Sequence, residues 1–282
     1  MALELKTFFD KDTYTLTYIL HDQETRDAII IDPVLDFNFS AGTVDNKCFI
    51  EYSDYFQKES LNLKAVLETH IHADHLSCSQ LLKQAYPEVK IGISARISEV
   101  QKTFAPTFGL DDLQANGEQF DILFHHNQDY KFGSIEVRSI QTPGHTPACL
   151  SFLIENYLFT GDLLFMPDFG TGRCDFPGGD PEQMYNSVKN LYSLPEHILI
   201  HTGHDYQPGG RPLKFSCSIE ESKASNIHIK DNTSLDEFVA FRSNRDKQLS
   251  VPKLLYPALQ INMTAGQLPE DGLLRIPLTR KY

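Results

Sequence analysis

One short stretch decides the fold, and it reads Thr69-His70-Ile71-His72-Ala73-Asp74-His75. It comes one residue after an apolar run, Ala65-Val66-Leu67, which indicates a buried strand. Imidazole and carboxylate are the side chains that bind zinc, iron and manganese. Because residues two apart at a strand end share a face, we expect His70 and His72 to point at one spot. Asp74 and His75, at the start of a helix predicted over residues 74–86, would then reach a neighbouring spot.

The composition bounds the class of protein and its partners. The chain has 282 residues, of which 41% are hydrophobic and 22% charged, as in a globular protein of one or two domains. A net charge of −13 argues against a broad phosphate-binding surface, so nucleic acid is not an expected partner. Since no apolar run approaches the ~18 residues of a membrane span, a membrane is not expected either.

Cysteine usage and the first residues predict the compartment. The five cysteines are widely spaced and form no CxxC pair, which favours a reducing environment. The N-terminal stretch has no signal-peptide pattern and is not rich in arginine. We therefore expect a cytoplasmic protein, with a processed organellar form as the open alternative.

Further candidate ligands lie in the same context as the first stretch. Each follows a predicted strand and stands beside a glycine, which permits a tight turn that exposes the side chain. In α/β folds such strand ends assemble one site. A single histidine of this kind is as readily a packed residue, but the whole set predicts one metal centre. The members are His145, Asp162 and His204.

These motifs resemble those of the metallo-β-lactamase fold superfamily, in order and in context. The stretches that match are Thr69–His75, Thr142-Pro143-Gly144-His145-Thr146, Phe159-Thr160-Gly161-Asp162 and Gly203-His204-Asp205-Tyr206. The resemblance implies an α/β fold, a four-layer αββα sandwich with the site at one edge. It covers a core of about residues 3–210. The remainder, 211–282, is expected to pack on that core as helices and a tail, so that 1–282 form a single domain.

Two further segments resemble the persulfide dioxygenases, also called sulfur dioxygenases, a branch related to glyoxalase II. They are Gly172-Arg173-Cys174-Asp175-Phe176 and Gln260-Ile261-Asn262-Met263-Thr264-Ala265-Gly266. Glyoxalase II commonly has an aromatic residue and a glutamate after the arginine, and a separate helical C-terminal domain. The chain departs from the branch in its long 36–62 insertion and in Thr264 and Ala265, which replace a family cysteine. Both departures concern substrate preference.

The resemblance implies one Fe(II) per chain, held by His70, His145 and Asp162. Its partners would be O₂ and glutathione persulfide or a related small thiol, and its products glutathione and sulfite. Arg173 is a candidate for binding a glutathione carboxylate, since guanidinium binds carboxylates bidentately; the alternative is an ion pair with Asp175. Tyr206 is a candidate for a hydrogen bond near the metal, or a core residue. The other potential ligands would orient ligands and substrate, namely His72, Asp74, His75 and His204.

The main alternative function is a binuclear thioesterase of the glyoxalase II type, a hydroxyacylglutathione hydrolase. In it the same residues would hold two Zn²⁺ ions that activate water. A lactonase, a β-lactamase or a non-catalytic metal-binding sensor is a weaker alternative.

The remaining segments carry structural predictions. Residues 36–62 are aromatic, with a helix predicted over 46–60, and are assigned to core packing. Helices are predicted near 180–194, 216–230 and 234–249, and extended segments in the tail 254–282. The 36–62 segment and the tail are candidate surfaces of a homodimer.

Overall fold

The structure is a computed structural model that describes residues 2–277. Its strands are β1 (Leu3–Phe9), β2 (Leu16–Asp22), β3 (Asp27–Ile31), β4 (Val34–Asn38), β5 (Thr43–Asp45), β6 (Asn62–Leu67), β7 (Leu76–Ser77), β8 (Lys90–Ser94), β9 (Ile122–Phe124), β10 (Gln128–Phe132), β11 (Ile135–Gln141), β12 (Leu150–Ile154), β13 (Tyr157–Phe159), β14 (Leu199–His201) and β15 (Ser216–Ser218). Its helices are α1 (Lys47–Lys58), α2 (Ser79–Ala85), α3 (Ile97–Phe104), α4 (Pro181–Tyr192), α5 (Ile219–Ser225), α6 (Leu235–Asp246) and α7 (Leu255–Asn262).

Two six-stranded sheets form the centre of the molecule. The first has the order β1-β2-β3-β6-β8-β9 and the second the order β10-β11-β12-β13-β14-β15. From β3 to β9 the strands of the first sheet are parallel. Their sequences are continuous apolar runs because both faces of a central parallel strand are covered.

Apolar side chains fill three layers of packing. Leu20, Ile29 and Phe152 belong to the cluster between the two sheets. A second cluster joins the first sheet to α1, α2, α3 and α7, and a third joins the second sheet to α4, α5 and α6. The order helix, sheet, sheet, helix confirms the predicted αββα sandwich. Among residues 2–277 no helix is long and apolar enough to cross a membrane.

Three of the local predictions are wrong. The helix predicted from residue 74 begins only at Ser79, because Leu76 and Ser77 pair with β4 as strand β7. Similarly, residues 216–218 pair with β14, so the helix predicted over 216–230 is limited to α5.

In the tail, residues 255–262 are a helix rather than extended, because Leu259 and Ile261 pack into the cluster on the first sheet. Residues 278–282 of the predicted tail lie outside the described residues. The predicted helix over 46–60 is confirmed as α1, whose Tyr52 and Phe56 are buried in the same cluster.

His201 is a buried histidine without a polar partner. It lies in β14 against the rings of Tyr18, Tyr157 and Phe159, the last at 5.2 Å between centroids. Neither ring nitrogen has a hydrogen-bond partner within residues 2–277. Burial lowers the pKa of His201 to about 4, so the folded protein holds it neutral at pH 7. An unfolded chain would protonate it with a pKa of about 6.5, so folding stability falls as the pH drops from about 6.5 to 4.

We expect His201→Phe to stabilise the protein, because it removes two unsatisfied polar atoms from an aromatic cluster. The gain in unfolding free energy at pH 7 should be about 1–2 kcal/mol and should grow by up to about 3 kcal/mol toward pH 4. Urea unfolding at pH 7, 5.5 and 4.5 measures both effects. The matched control is His197→Phe at an exposed position. A gain that does not change with pH would contradict the assignment.

Candidate metal centre

The predicted ligands come together at one edge of the sandwich. His70 follows β6, Asp162 follows β13 and His204 follows β14, while His145 lies between β11 and β12. Backbone hydrogen bonds connect these loops: Leu150 N donates to Thr69 O at 2.8 Å, and Gly203 N to Gly161 O at 3.1 Å. The loops are therefore held to one another as well as to their strands.

Gly161 shows why a glycine precedes the aspartate. It has φ +50°, and a Cβ there would lie 2.4 Å from Thr69 Oγ1. Only glycine permits this approach without displacing the residue before His70.

His70, His145 and Asp162 form one group. Asp162 Oδ2 lies 3.9 Å from His70 Nε2 and 3.7 Å from His145 Nε2. One ligand atom from each residue falls within 4.8 Å of the other two. Two imidazoles and one carboxylate oxygen thus face a common point, as in the 2-His-1-carboxylate sites of non-haem iron enzymes.

A second group lies beside the first. One ligand atom each of His72, Asp74 and His75 again falls within 4.8 Å of the others. His204 Nε2 lies 3.1 Å from Asp74 Oδ2 and 3.3 Å from Asp162 Oδ1. Asp162 therefore turns one oxygen to each group, and the structure brings all seven predicted ligands together.

Hydrogen bonds fix which nitrogen of each first-group histidine is free. Thr69 Oγ1 donates to Asp32 Oδ2 at 2.8 Å, so it can only accept from His70 Nδ1 at 3.0 Å. His145 Nδ1 lies 2.7 Å from Arg173 O, which is an acceptor. Both Nδ1 atoms must therefore carry the proton. Each Nε2 then has a free lone pair, which is directed at the centre.

In the second group, His75 also carries its proton on Nδ1, whereas His72 carries it on Nε2. His75 Nδ1 donates to Leu76 O at 3.1 Å, which leaves its Nε2 free. His72 Nε2 lies 3.0 Å from Asp32 Oδ1 and 3.3 Å from Glu68 Oε2, so Nε2 carries the proton and Nδ1 is free.

The free atoms are buried and without hydrogen bonds in the described part of the chain. They are His70 Nε2, His72 Nδ1, Asp74 Oδ2, His75 Nε2 and Asp162 Oδ1. Leaving buried acceptors unpaired is costly, whereas a cation satisfies them together. Burial, assisted by neighbouring histidines, lowers the pKa of His70 well below its usual range, so the ring is the neutral form that binds metals. The residues present therefore fit a bound metal.

Comparison with known proteins agrees with this geometry. Residues 11–204 match the Metallo-beta-lactamase superfamily. The chain belongs to this superfamily. Its members are metal-dependent enzymes.

Relatives in this superfamily include a protein named glyoxylase and proteins named persulfide dioxygenase. "Glyoxylase B2" of Dictyostelium discoideum is 41% identical over 98% of this chain and 97% of its own length. "Persulfide dioxygenase ETHE1, mitochondrial" of Homo sapiens is 30% identical over 93% of this chain and 88% of its own. Among solved structures, ETHE1 from Myxococcus xanthus superposes with a TM-score of 0.76 at 28% identity, over 94% of this chain and all of that one.

Two residues that support the metal centre were not assigned a role from sequence alone. Asp32 directly follows β3 and accepts hydrogen bonds from Thr69 N at 2.8 Å and from His72 Nε2 at 3.0 Å. The sequence did contain a signal for this residue, because Asp32 is a carboxylate directly after an apolar strand and the predicted ligands also follow strands.

Asn262 in α7 is the second such residue. Its Nδ2 donates to His72 O at 2.9 Å and to His75 O at 2.8 Å, and its Oδ1 accepts from Ser77 N at 2.8 Å. The Asn-Met segment noted in the sequence thus holds the ligand-bearing loop 72–77.

A cavity of about 710 Å³ opens over the centre. Asp74, His145 and Asp162 line it, together with residues of the β4–β5 hairpin. The assignment of residues 36–62 to core packing is therefore wrong for Phe39 in the hairpin, although right for Phe37 and for α1, which pack against the cluster on the first sheet. The reason is that β4 and β5 belong to a separate three-stranded sheet with β7, outside the main sandwich. Phe39 accordingly lines the cavity and is 42% exposed.

Arg173 and Tyr206 also line the cavity. Arg173 makes a bidentate pair with Asp175, at 2.5 and 2.6 Å, and donates to Ser250 O at 2.7 Å. The predicted alternative, an ion pair, is thus present, and binding of a substrate carboxylate stays a prediction. Tyr206 stacks on His204 at 5.4 Å. Desolvation in the cavity, and then the Asp162 and Asp74 carboxylates, raise the pKa of Tyr206, so its hydroxyl stays a donor.

We expect Asn262→Ala to release the loop that carries Asp74 and His75. Three buried backbone groups would lose their partners, which should lower the free energy of unfolding by about 3–5 kcal/mol. Zinc binding should weaken at the same time. Chemical denaturation and competition with a chromophoric chelator measure the two effects. Asn232→Ala, at an exposed position, should change neither. Unchanged zinc binding in a folded variant would show that the loop does not need α7.

Proposed function

We propose that this protein is a persulfide dioxygenase that uses one Fe(II) per chain. The reaction is glutathione persulfide plus O₂ and water giving glutathione, sulfite and two protons. The observation that carries the proposal is the separate group of His70, His145 and Asp162. Two imidazoles and one carboxylate leave open positions on Fe(II), as the oxygenases of that type require. The relatives named persulfide dioxygenase, at 30% identity, support the same choice.

Bound Fe(II) would supply coordination sites for O₂ and for the terminal sulfur of the persulfide. The chain itself supplies orientation and binding. Thr69 and the carbonyl of Arg173 keep the protons on the Nδ1 atoms of His70 and His145, so that both rings present lone pairs. Tyr206 retains its hydroxyl proton and can donate a hydrogen bond to a ligand atom in the cavity.

Arg173 is the residue that we assign to a glutathione carboxylate. A guanidinium has five N–H donors, of which Asp175 and Ser250 accept three in this structure. Two N–H groups remain for a substrate. Because Asp175 fixes the plane of the guanidinium, those groups are oriented before the substrate arrives.

A second candidate is a binuclear zinc thioesterase of the glyoxalase II type. The group of His72, Asp74 and His75, together with His204, favours it because these residues could hold a second metal. The relative named "Glyoxylase B2" agrees with this reading.

Metal and oxygen measurements on anaerobically purified protein separate the candidates. We expect about one iron per chain, O₂ uptake with glutathione persulfide, and one sulfite formed per O₂. His70→Ala should abolish uptake, while His125→Ala, an exposed histidine, should not. Two zinc ions per chain with hydrolysis of lactoylglutathione and no O₂ uptake would refute the proposal. Metal binding without any turnover would indicate a sensor.

We expect Arg173→Met to raise KM for glutathione persulfide by about 10- to 100-fold with a smaller change in kcat. The reason is the loss of a charge-assisted contact, worth about 1.5–3 kcal/mol, to a part of the substrate that does not react. Arg138→Met is the matched control, because Arg138 forms the same bidentate pair with Asp129 on the surface. Equal KM values for the wild type and Arg173→Met would exclude a substrate role.

A further inference from the structure

Glu68 is a buried carboxylate with no role in the function described so far. It follows β6, immediately before Thr69, and is 3% exposed. Its Oε1 accepts from the hydroxyls of Ser77 and Ser79. Its Oε2 forms no hydrogen bond within the described residues but lies 3.3 Å from His72 Nε2. The two oxygens thus face different surroundings: one meets hydroxyl donors and the other meets a metal-ligand histidine.

His72 Nε2 therefore has two carboxylates in front of it. Asp32 Oδ1 lies at 3.0 Å and Glu68 Oε2 at 3.3 Å. Asp32 is already bound on both oxygens by Thr69, through its backbone N and its hydroxyl. Glu68 Oε2 has no such hydrogen-bond donor. The Nε2–H of His72 is therefore the polar group that can compensate the charge on this oxygen.

The position of the His72 ring determines where its other nitrogen points. Nδ1 is buried and unpartnered within residues 2–277. The ring lies 4.2 Å from that of His70 and 4.1 Å from that of His75, between centroids, so it stands between the two ligand groups. A rotation about χ2 would withdraw Nδ1 from the centre. Contacts to Nε2 from two carboxylates on fixed strand ends oppose that rotation.

We propose that Glu68 is a positioning residue of the metal centre: with Asp32 it holds the Nε2–H of His72, directs Nδ1 to the centre, and adds a buried negative charge that strengthens binding of a divalent cation. Hydrogen-bonded carboxylates behind a ligand histidine typically change metal affinity by about 10- to 100-fold. The inference depends on the metal centre and not on the proposed reaction. It would still hold if the protein proved to be a thioesterase.

Glu68→Gln tests the proposal, because glutamine keeps an acceptor for Ser77 and Ser79 and removes the charge facing His72. Apoprotein would be titrated with Zn²⁺ in competition with a chromophoric chelator. We expect the dissociation constant to rise by about 10- to 100-fold, with little change in the melting temperature of the apoprotein. An affinity within twofold of the wild type would overturn the proposal.

Two controls separate positioning from packing and from general charge effects. Ser79→Ala removes a hydrogen bond to Oε1 but keeps Oε2 beside His72, so zinc affinity should stay unchanged while apoprotein stability falls. Asp22→Asn neutralises another buried carboxylate, at the far end of β2, and should not alter the affinity. Equal losses of affinity in Glu68→Gln and either control would overturn the proposal.

Long-range ¹H–¹⁵N spectra of the zinc-loaded protein, labelled at histidine, give a second readout that does not depend on affinity. With zinc bound at the group of His72, Asp74 and His75, we expect His72 to show a protonated Nε2 and a zinc-bound Nδ1. In Glu68→Gln the Nε2–H resonance should shift, because the side chain 3.3 Å from Nε2 has lost its negative charge. A protonated Nδ1, or a His72 spectrum that Glu68→Gln leaves unchanged, would contradict the assigned contact.

Discussion

The structure depends on a cluster of buried lone pairs that one cation can satisfy together. Strand ends from both sheets direct imidazole nitrogens and carboxylate oxygens at one small region, where they are shielded from water. Without a cation these acceptors lose their hydration and gain no partner, which opposes folding of the loops. With one bound, the same atoms contribute favourable interactions. A bound metal would therefore stabilise the folded structure of this edge as well as supply its chemistry.

The loops are fixed from behind by elements distant in sequence. Asp246 Oδ2 in α6 accepts from Cys174 N at 2.8 Å, and the buried Arg242 donates to Thr171 O at 3.2 Å. This holds the loop whose Arg173 carbonyl fixes the tautomer of His145. On the other side, Asn262 in α7 holds the loop of Asp74 and His75. The C-terminal helices therefore take part in building the centre, which explains why the resemblance extends past residue 210.

The ligands could be predicted from sequence because each is a metal-binding side chain in a loop that follows a predicted strand. The resemblance of these motifs to a known superfamily implied the sandwich, whereas local sequence patterns indicated only individual strands and helices. What could not be predicted depends on contacts across the fold. The helix start near residue 74 failed because pairing of β7 with β4 overrode local propensity. The roles of Glu68 and Asn262 depend on backbone and side-chain groups brought close only by folding, and the hairpin faces the cavity because it lies outside both sheets.

The orientation of the His72 ring would distinguish a mononuclear from a binuclear metal centre at this site. Asp32 and Glu68 direct His72 Nδ1 from behind, and in this structure that nitrogen groups with Asp74 and His75 rather than with the His70 group. A metal at the His70 group would then have three protein ligands and open positions for two reactants. If the ring turned toward His70, a third imidazole would take one of those positions, as in a water-activating zinc site. Carboxylates that touch neither metal nor substrate can thereby influence which reaction the centre performs.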